Sequence, residues 1–385
     1  MVLLLKPTLA CNNNCPYCYE RSFRHYFVKY DINKMLKVAE SVYTKEDGMI
    51  CLHGGEPLLL PLKDIEKFLA FAKRKCGYSN VTTNGILISE EHIKLFKKYK
   101  TGVAVSLDGL PKENVRSPKN VSEKILRNLE LLRSEDIPVS IMVVLHRRNY
   151  QKIVDFVNYM YKNYGIREFK FNWLKFYPEL ELTGKELFNT LKLLAKIHIA
   201  NPELSINPID FMLANLSGSY NVNDCFLTMC DIFCTERAKV VLGDGTLTTC
   251  LQAQNHVLFF SRSETPSYER YIVLKKIPVQ DGGCSGCKYW CICYGGCPAS
   301  APDWRMKDSQ SCYAIYNLYE FLNNIKSEIY KKLGIKLERI DNFEMEKESK
   351  LEDKPIYRII RRHPVLRGDG VKKNNDKWHN SNSIF

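Results

Sequence analysis

Short apolar runs alternate with longer amphipathic segments through the first 175 residues. The runs are rich in β-branched and aromatic residues and are bounded by Gly, Pro, Asn or charged residues, which is typical of strands. We predict strands at residues 2–9, 49–53, 80–83, 102–107, 139–145 and 168–173. Between them, apolar residues recur at steps of three and four, which predicts helices. The predicted helices are residues 32–43, 62–75, 90–99, 123–133 and 152–161.

The alternation of strand and helix predicts an α/β fold with a parallel sheet. Six such units predict a partial (β/α)6 barrel of the TIM type rather than a closed barrel of eight units. The chemistry of such a barrel lies at the carboxyl ends of its strands. One more helix is predicted at residues 184–200, and we assign residues 1–220 to the barrel.

The pattern changes from about residue 205, where Gly-rich turns replace the helical periodicity. Cysteines crowd residues 225–312, which predicts a small domain folded around metal, followed by a helix at residues 313–333. We place this cysteine-rich domain and its helix at residues 221–335. The basic tail at residues 336–385 has little periodicity and is predicted to be poorly ordered. It is either a solvated terminus or a docking arm for an acidic partner.

Composition narrows the class of protein. The chain has 385 residues, 15 cysteines and a formal net charge of +13. No run of about 18 apolar residues indicates a membrane span. The apolar start lacks a basic leader, so we interpret it as the first strand and expect a cytoplasmic protein. Closely spaced cysteines of odd number then favour metal ligation over disulfides. The charge leaves a zinc-structured nucleic-acid-binding protein as an alternative, although no aromatic–basic RNA-binding signature is present.

The first cysteine motif, Cys-Asn-Asn-Asn-Cys-Pro-Tyr-Cys, directly follows the first predicted strand and contains Cys11, Cys15 and Cys18. Three thiolates so close together can hold three corners of a four-iron cluster and leave the fourth iron open to a ligand. A zinc knuckle without a visible fourth ligand is the alternative.

This motif resembles the signature of the radical S-adenosylmethionine (SAM) family. The resemblance implies that Cys11, Cys15 and Cys18 hold a catalytic 4Fe–4S cluster, whose open iron binds the amino and carboxylate groups of SAM. Electron transfer from the cluster would then break a C–S bond and release a 5′-deoxyadenosyl radical.

Later segments match the same family at the ends of predicted strands. The Gly-Gly-Glu-Pro segment implies a contact of Gly54, Gly55 and Glu56 with the amino group of SAM. In Ser-Leu-Asp-Gly, Ser106 is a candidate contact to its ribose or carboxylate. Other cofactor-binding candidates are Tyr17, near the adenine or packing the loop, and for the carboxylate Arg116 and Arg127, each alternatively a surface arginine.

The second group of cysteines resembles the SPASM extension of radical SAM enzymes that modify ribosomally made peptides and proteins. The resemblance implies two auxiliary 4Fe–4S clusters, hence three clusters in all, although zinc remains an alternative here. We assign one cluster to Cys284, Cys287, Cys293 and Cys312. We assign the other to Cys230, Cys234, Cys250 and Cys297, with Cys225 as the competitor of Cys230. Of the spare cysteines, Cys51 is expected in a core strand, and Cys291 could displace a ligand.

The resemblance predicts a radical SAM maturase that oxidises a side chain or backbone position of a peptide or protein. Thioether, dehydrogenation and carbon–carbon products fit this chemistry, and epimerisation fits it less well. The expected partners are the peptide substrate and a low-potential electron donor of ferredoxin or flavodoxin type. An anaerobic sulfatase-maturase activity is the alternative, but Leu251 stands where that branch carries an acidic residue.

Overall fold

The computed structural model describes residues 2–21, 29–44, 48–175, 177–217, 238–248, 284–293 and 309–333. Its strands are β1 (Val2–Lys6), β2 (Met49–Leu52), β3 (Ser79–Thr83), β4 (Thr101–Ser106), β5 (Val139–Leu145), β6 (Glu168–Trp173), β7 (Ser205–Asn207), β8 (Ala238–Leu242) and β9 (Leu247–Thr248). The helices are α1 (Ile32–Val42), α2 (Leu62–Cys76), α3 (Glu90–Tyr99), α4 (Lys119–Ser134), α5 (Ile153–Tyr164), α6 (Gly184–Ala200), α7 (Ile209–Leu216), α8 (Trp290–Cys293) and α9 (Ser309–Leu333). Short 3-10 turns form at Pro57–Leu59 and Tyr150–Lys152.

The described strands form one sheet in the order β7-β6-β5-β4-β3-β2-β1-β8-β9. All neighbouring strands from β7 to β8 are parallel, and only β9 runs antiparallel to its neighbour. From β1 to β7, each new strand joins the same edge after a crossover, which is the winding of an open barrel. The predicted α/β partial barrel is therefore confirmed.

Two strands pair with the predicted six-stranded sheet at its edges. The short β7 extends the sheet beyond β6, and β8 lies beside β1 in register from Val2 with Ala238 to Lys6 with Leu242. The sequence indicated no strand at β8, because its five residues include Lys239 and form only a short apolar run. The domain boundaries themselves stay a prediction.

Alternation along the strands separates a helix-facing side of the sheet from an inner side. The helix-facing side is buried and mostly apolar, as in β4 and β5 with Val103, Val105, Ile141 and Val143. The inner side of β3 to β7 carries mostly small or polar residues that are partly exposed: Asn80, Thr82, Gly102, Ala104, Ser106, Ser140, Lys170, Asn172 and Asn207, with Met142 and Val144 as apolar exceptions. A period of two follows from the pleat of a strand, and it leaves a polar inner surface above which a ligand can lie.

Local signals in the sequence set the helix starts. The side chain of Asp31 accepts a hydrogen bond from the Lys34 N–H and begins α1. A capping box begins α6, where Thr183 and Glu186 each bond to the other's backbone N–H. Both arrangements satisfy N–H groups that the first turn of a helix leaves without partners.

Helix α9 packs along α6 and α7 on the β6 side of the sheet. Tyr319 and Tyr330 of α9 are buried, and the Tyr330 hydroxyl donates to the Leu213 carbonyl at 2.8 Å. At the start of α9, Ser311 Oγ accepts a 2.7 Å hydrogen bond from the Trp173 indole. The described end of the cysteine-rich segment is thereby joined to the barrel.

No helix within the described ranges is both long and apolar enough to cross a membrane.

Two glycines bring the segment after β2 against the segment after β1. The Gly55 N–H donates to the Thr8 carbonyl at 2.9 Å, and the Glu56 N–H donates to the Ala10 carbonyl at 2.8 Å. A Cβ on Gly55 would lie 2.4 Å from the carbonyl oxygens of both Leu9 and Ala10. Glycine at position 55 therefore allows two backbone segments to come into contact, and this contact fixes the chain just before Cys11.

We expect Gly55→Ala to lower the free energy of unfolding by about 3 kcal/mol, because backbone oxygens cannot move aside as side chains do. The matched control is Gly77→Ala, where no atom lies within 4 Å of a Cβ and φ is +82°. That change should cost only about 1 kcal/mol of backbone strain. Chemical denaturation of the metal-free variants measures both, and equal losses would contradict the close approach.

Candidate active site

The loop that follows β1, residues 7–21, is here called the cluster loop. It contains the thiols of Cys11, Cys15 and Cys18, which form no disulfide, and Cys15 is the most buried of them. The Cys18 N–H donates to the Cys15 carbonyl at 3.2 Å, and the chain continues in a second turn. A buried ion pair between Lys6 and Glu20 joins the two ends of the loop. The loop is thus held at both ends before any ligand is considered.

The asparagines between the first two cysteines tie the cluster loop to neighbouring loops. Asn12 Oδ1 accepts a 2.8 Å hydrogen bond from Asn84 Nδ2, in the loop after β3. Asn13 Nδ2 donates at 2.8 Å to Ser117 Oγ, in the loop after β4. The carboxyl ends of β1, β3 and β4 therefore meet in one structure.

N–H groups also point at the sulfurs. Asn13 N lies 3.4 Å from Cys11 Sγ, Asn84 Nδ2 lies 3.8 Å from the same sulfur, and Asn13 Nδ2 lies 3.7 Å from Cys15 Sγ. Hydrogen bonds to sulfur stabilise the thiolate form and tune an iron–sulfur cluster. The donor set of this loop therefore fits an iron–sulfur cluster.

Electrostatics at Cys15 act in two directions. Burial raises the pKa of the Cys15 thiol, and the nearby Arg116 guanidinium lowers it. Metal ligation requires the thiolate, so a fixed cation beside the loop favours loading. Within the described ranges, no three Cys, His, Asp or Glu side chains converge on the position of one metal ion. Cluster ligands differ in this respect, because thiolates on separate irons occupy separate corners.

Glu56 is fully buried and bonded to three protein donors. Its Oε1 accepts from the Thr83 hydroxyl at 2.7 Å and from the Leu58 N–H at 3.0 Å, and its Oε2 accepts from the Asn84 N–H at 2.7 Å. Burial raises the pKa of Glu56, and these three bonds oppose that shift. The sequence suggested a contact with the amino group of SAM. The structure gives the carboxylate a role in holding Asn84 against the cluster loop.

Asp108 gathers a second set of contacts at the end of β4. Its Oδ1 accepts from Arg116 Nε and from the Val144 N–H, both at 2.8 Å, and its Oδ2 contacts the Tyr17 hydroxyl. His146 Nε2 lies 3.6 Å from Oδ2. Burial favours the protonated acid, but Arg116, His146 and Tyr17 outweigh it, so the pKa of Asp108 lies below its ordinary value. Asp108 is therefore a buried carboxylate with charge-matched partners.

Arg116 lies in this group with its side chain only 15% exposed. Its guanidinium carbon is 5.5 Å from the centroid of the Tyr17 ring, and Asp108 raises its pKa against the effect of burial. Nε bonds to Asp108, and the described part of the chain offers no hydrogen bond to the two terminal nitrogens. These nitrogens suit a carboxylate ligand.

The structure separates the other candidates. Tyr17 lies beneath Arg116, and burial raises its pKa well above the ordinary value. Ser106 ends β4 on the inner side of the sheet. Arg127, in contrast, is exposed on α4 next to buried Ile125 and Leu129 residues that face the sheet. Its side chain does not join the group around Asp108 and Arg116, and its assignment to cofactor binding stays a prediction.

Sequence reasoning missed Asn84, Asp108 and His146 as structural centres of the site. Asn84 and His146 directly follow β3 and β5, and Asp108 lies two residues after the end of β4. The available signal was a polar residue just after a predicted strand, since the carboxyl ends of parallel strands converge.

Four of the predicted auxiliary ligands lie on adjoining elements. Cys284, Cys287 and Cys293 belong to residues 284–293, and Cys312 belongs to α9. Tyr289 stacks on Tyr319 of α9 at 5.1 Å and meets Tyr316, one turn beyond Cys312, at 5.4 Å. The other residues named in the predictions for this domain lie outside the described residues: Cys225, Cys230, Cys234, Cys250, Leu251, Cys297 and the side chain of Cys291.

Cys51 is buried in β2 as expected for a core residue, and burial raises the pKa of its thiol to about 11.

Residues 5–160 match the model of the Radical SAM superfamily. An uncharacterized protein of Methanocaldococcus jannaschii is 31% identical over 185 residues, 45% of this chain and 62% of that protein. The chain covers 47% and 37% of uncharacterized relatives from Synechocystis and Archaeoglobus fulgidus. A cysteine-type anaerobic sulfatase-maturating enzyme of Clostridium perfringens is 25% identical over 389 residues, 84% of this chain and 99% of that enzyme.

Solved structures share the fold. Native anSMEcpe with bound AdoMet and Cp18Cys peptide has a TM-score of 0.67 at 22% identity, and the match covers 87% of this chain and 99% of that one. Streptococcus suis SuiB bound to its precursor peptide SuiA has a TM-score of 0.58 at 16% identity, with 80% and 75% covered.

We expect Glu56→Gln to lower the free energy of unfolding by about 2–3 kcal/mol, because an amide nitrogen replaces one acceptor of a buried carboxylate. The matched control is Glu66→Gln, a partly exposed carboxylate whose side chain bonds to Lys98 and Tyr99. It should cost less than about 1 kcal/mol. Denaturation of the metal-free variants measures both, and an unchanged Glu56→Gln variant would remove this carboxylate from the loop scaffold.

Proposed function

The chain contains a domain of the radical SAM superfamily in residues 5–160, and from this premise we propose that it is an enzyme that oxidatively modifies a peptide or protein. The observation that carries the proposal is the cluster loop. Its three thiols, which form no disulfide, lie at the carboxyl edge of a parallel sheet, and hydrogen bonds join the loop to the segments after β3 and β4.

Cys11, Cys15 and Cys18 are the residues we assign to a 4Fe–4S cluster with an open iron. Such a cluster with bound SAM supplies one-electron cleavage of SAM and removal of a hydrogen atom from a substrate. Asn13 and Asn84 direct N–H groups at the sulfurs, and Arg116 offers its terminal nitrogens to a carboxylate. The protein thereby holds the ligands in place and keeps a cation beside them.

A peptide substrate is supported first by the relatives. The anSMEcpe and SuiB structures carry bound peptides, and their folds resemble that of this chain. The end-to-end sequence match to a sulfatase-maturating enzyme points to the same substrate class. For this chain the substrate class is our proposal, because the chain covers only part of the length of the uncharacterized relatives.

The inner side of the sheet supplies a second support. Ser106, Met142, Lys170 and Asn207 form one row across β4 to β7 by strand register, so Ser106 and Asn207 are about 14 Å apart along the sheet. Among the described residues, Oδ1 of Asn172 and of Asn207 are buried without a hydrogen-bond partner. Unpartnered amide oxygens accept N–H donors, and peptide groups provide them. On this proposal the peptide lies on the inner side of the sheet, at the end of the row opposite Ser106.

Oxidation requires an outlet for electrons. If the substrate loses a hydrogen atom to the 5′-deoxyadenosyl group released from SAM, one unpaired electron would remain on the substrate. Transfer of that electron to an acceptor, with loss of a proton, would complete a two-electron oxidation. We propose that two auxiliary clusters accept it, held by Cys284, Cys287, Cys293 and Cys312 and by Cys230, Cys234, Cys250 and Cys297. A ferredoxin or flavodoxin type of protein is the proposed donor for the electron that cleaves SAM.

Sulfatase maturation is the second candidate. It is favoured by the sequence match that covers 99% of the C. perfringens sulfatase-maturating enzyme. Leu251 argues against it, because sulfatase maturases carry an acidic residue directly after the cysteine that corresponds to Cys250. We therefore rank oxidation of another peptide site above it.

The experiment uses anaerobically reconstituted protein with SAM, a reductant and synthetic peptides encoded beside its gene. Mass spectrometry should find 5′-deoxyadenosine and a peptide lighter by about two hydrogens, as a two-electron oxidation requires. The control changes Cys11, Cys15 and Cys18 to Ala and should keep about eight irons, four for each auxiliary cluster, while it forms no 5′-deoxyadenosine. Cleavage of SAM by this variant would contradict the assignment, and modification of a sulfatase peptide would favour the second candidate.

A further inference from the structure

His146 is a buried histidine with no role in the function proposed above. It directly follows β5 and is 0% exposed. Its Nδ1 accepts a 3.2 Å hydrogen bond from the Arg148 N–H, and its own backbone N–H donates to Asn149 Oδ1 at 2.8 Å. Because Nδ1 accepts, the neutral ring carries its proton on Nε2.

The Nε2–H of His146 faces the carboxylate of Asp108. Nε2 is buried, finds no hydrogen-bond partner within bonding distance in the described part of the chain, and lies 3.6 Å from Oδ2 of Asp108. The Tyr17 hydroxyl contacts the same oxygen, and the rings of Tyr17 and His146 are 6.1 Å apart. Oδ2 of Asp108 therefore contacts the Tyr17 hydroxyl of the cluster loop and faces the Nε2–H of His146 across 3.6 Å.

The opposite oxygen of Asp108 orients Arg116. A carboxylate is planar, so groups that fix Oδ2 also fix the direction in which Oδ1 faces. Oδ1 accepts from Arg116 Nε and from the Val144 N–H, each at 2.8 Å. A change in the position of Oδ2 would rotate this pair and shift the guanidinium over the Tyr17 ring.

We propose that His146 is a positioning residue for SAM: through Asp108 it fixes the guanidinium of Arg116 that binds the SAM carboxylate. The proposal rests on the function above, since it requires that SAM binds beside the cluster loop. At metal sites, substitution of comparable outer partners typically costs about 10- to 100-fold in affinity or activity. No proton transfer by His146 is involved.

The test measures the dissociation constant of SAM by calorimetry on anaerobically reconstituted protein, together with iron content. His146→Leu, which removes the donor, should weaken SAM binding roughly 10-fold and leave the iron content unchanged. His146→Gln, which returns an N–H donor near the position of Nε2, should restore most of the affinity. The control is His92→Leu on α3, another buried histidine, whose Nδ1 bonds to Ser89; it should bind SAM as the unchanged protein does.

A double-mutant cycle with Arg116→Gln separates positioning from general damage. If His146 acts through Arg116, His146→Leu should cost nothing further once Arg116 is replaced. Should the leucine variant not fold, His146→Asn, whose amide falls short of Asp108, takes its place with the same expected loss. Unchanged affinity in the His146 variant, or an equal loss with and without Arg116, would overturn the proposal. Absence of SAM binding by the unchanged protein would instead refute the proposed function.

Discussion

The buried carboxylate of Asp108 is the contact on which the arrangement of the site depends. It bonds to Arg116 and to the Val144 N–H, and it contacts the Tyr17 hydroxyl of the cluster loop. A buried charge is tolerated only when its partners are in place, and loss of one partner commonly costs about 3–5 kcal/mol. The cation beside Cys15 and the packing of the cluster loop are therefore set by the same carboxylate, two residues after β4.

Glu56 is a second buried carboxylate with its partners in place, and it supports the cluster loop through Asn84. Its three accepted bonds connect the ends of β2 and β3, and the glycines before it allow the backbone to reach Thr8 and Ala10. The two buried carboxylates, Asp108 and Glu56, thus hold the cluster loop against the ends of the strands. This arrangement suits one-electron chemistry, in which the reacting atoms must be held within a fraction of an ångström.

The sequence predicted the barrel well, because each strand and helix shows its own period and the order of strands follows from short crossovers. It predicted the cluster loop from the spacing of three cysteines. It did not distinguish Arg116 from Arg127, since both are single arginines in polar surroundings and only the fold buries one of them. The link from Asp108 to His146 joins positions 38 residues apart, 146 minus 108, and no local pattern encodes it. Strand β8 was missed because its five residues include Lys239 and its pairing with β1 is distant in sequence.

The central claim is that the thiols of the cluster loop hold an iron–sulfur cluster with one iron open to SAM. Electron paramagnetic resonance of the reduced, reconstituted protein tests it most directly, because a ligand on the open iron changes the signal of that cluster alone. The account predicts that adding SAM alters one component of the spectrum and leaves the components of fully ligated clusters unchanged. A spectrum in which no component responds to SAM would contradict it.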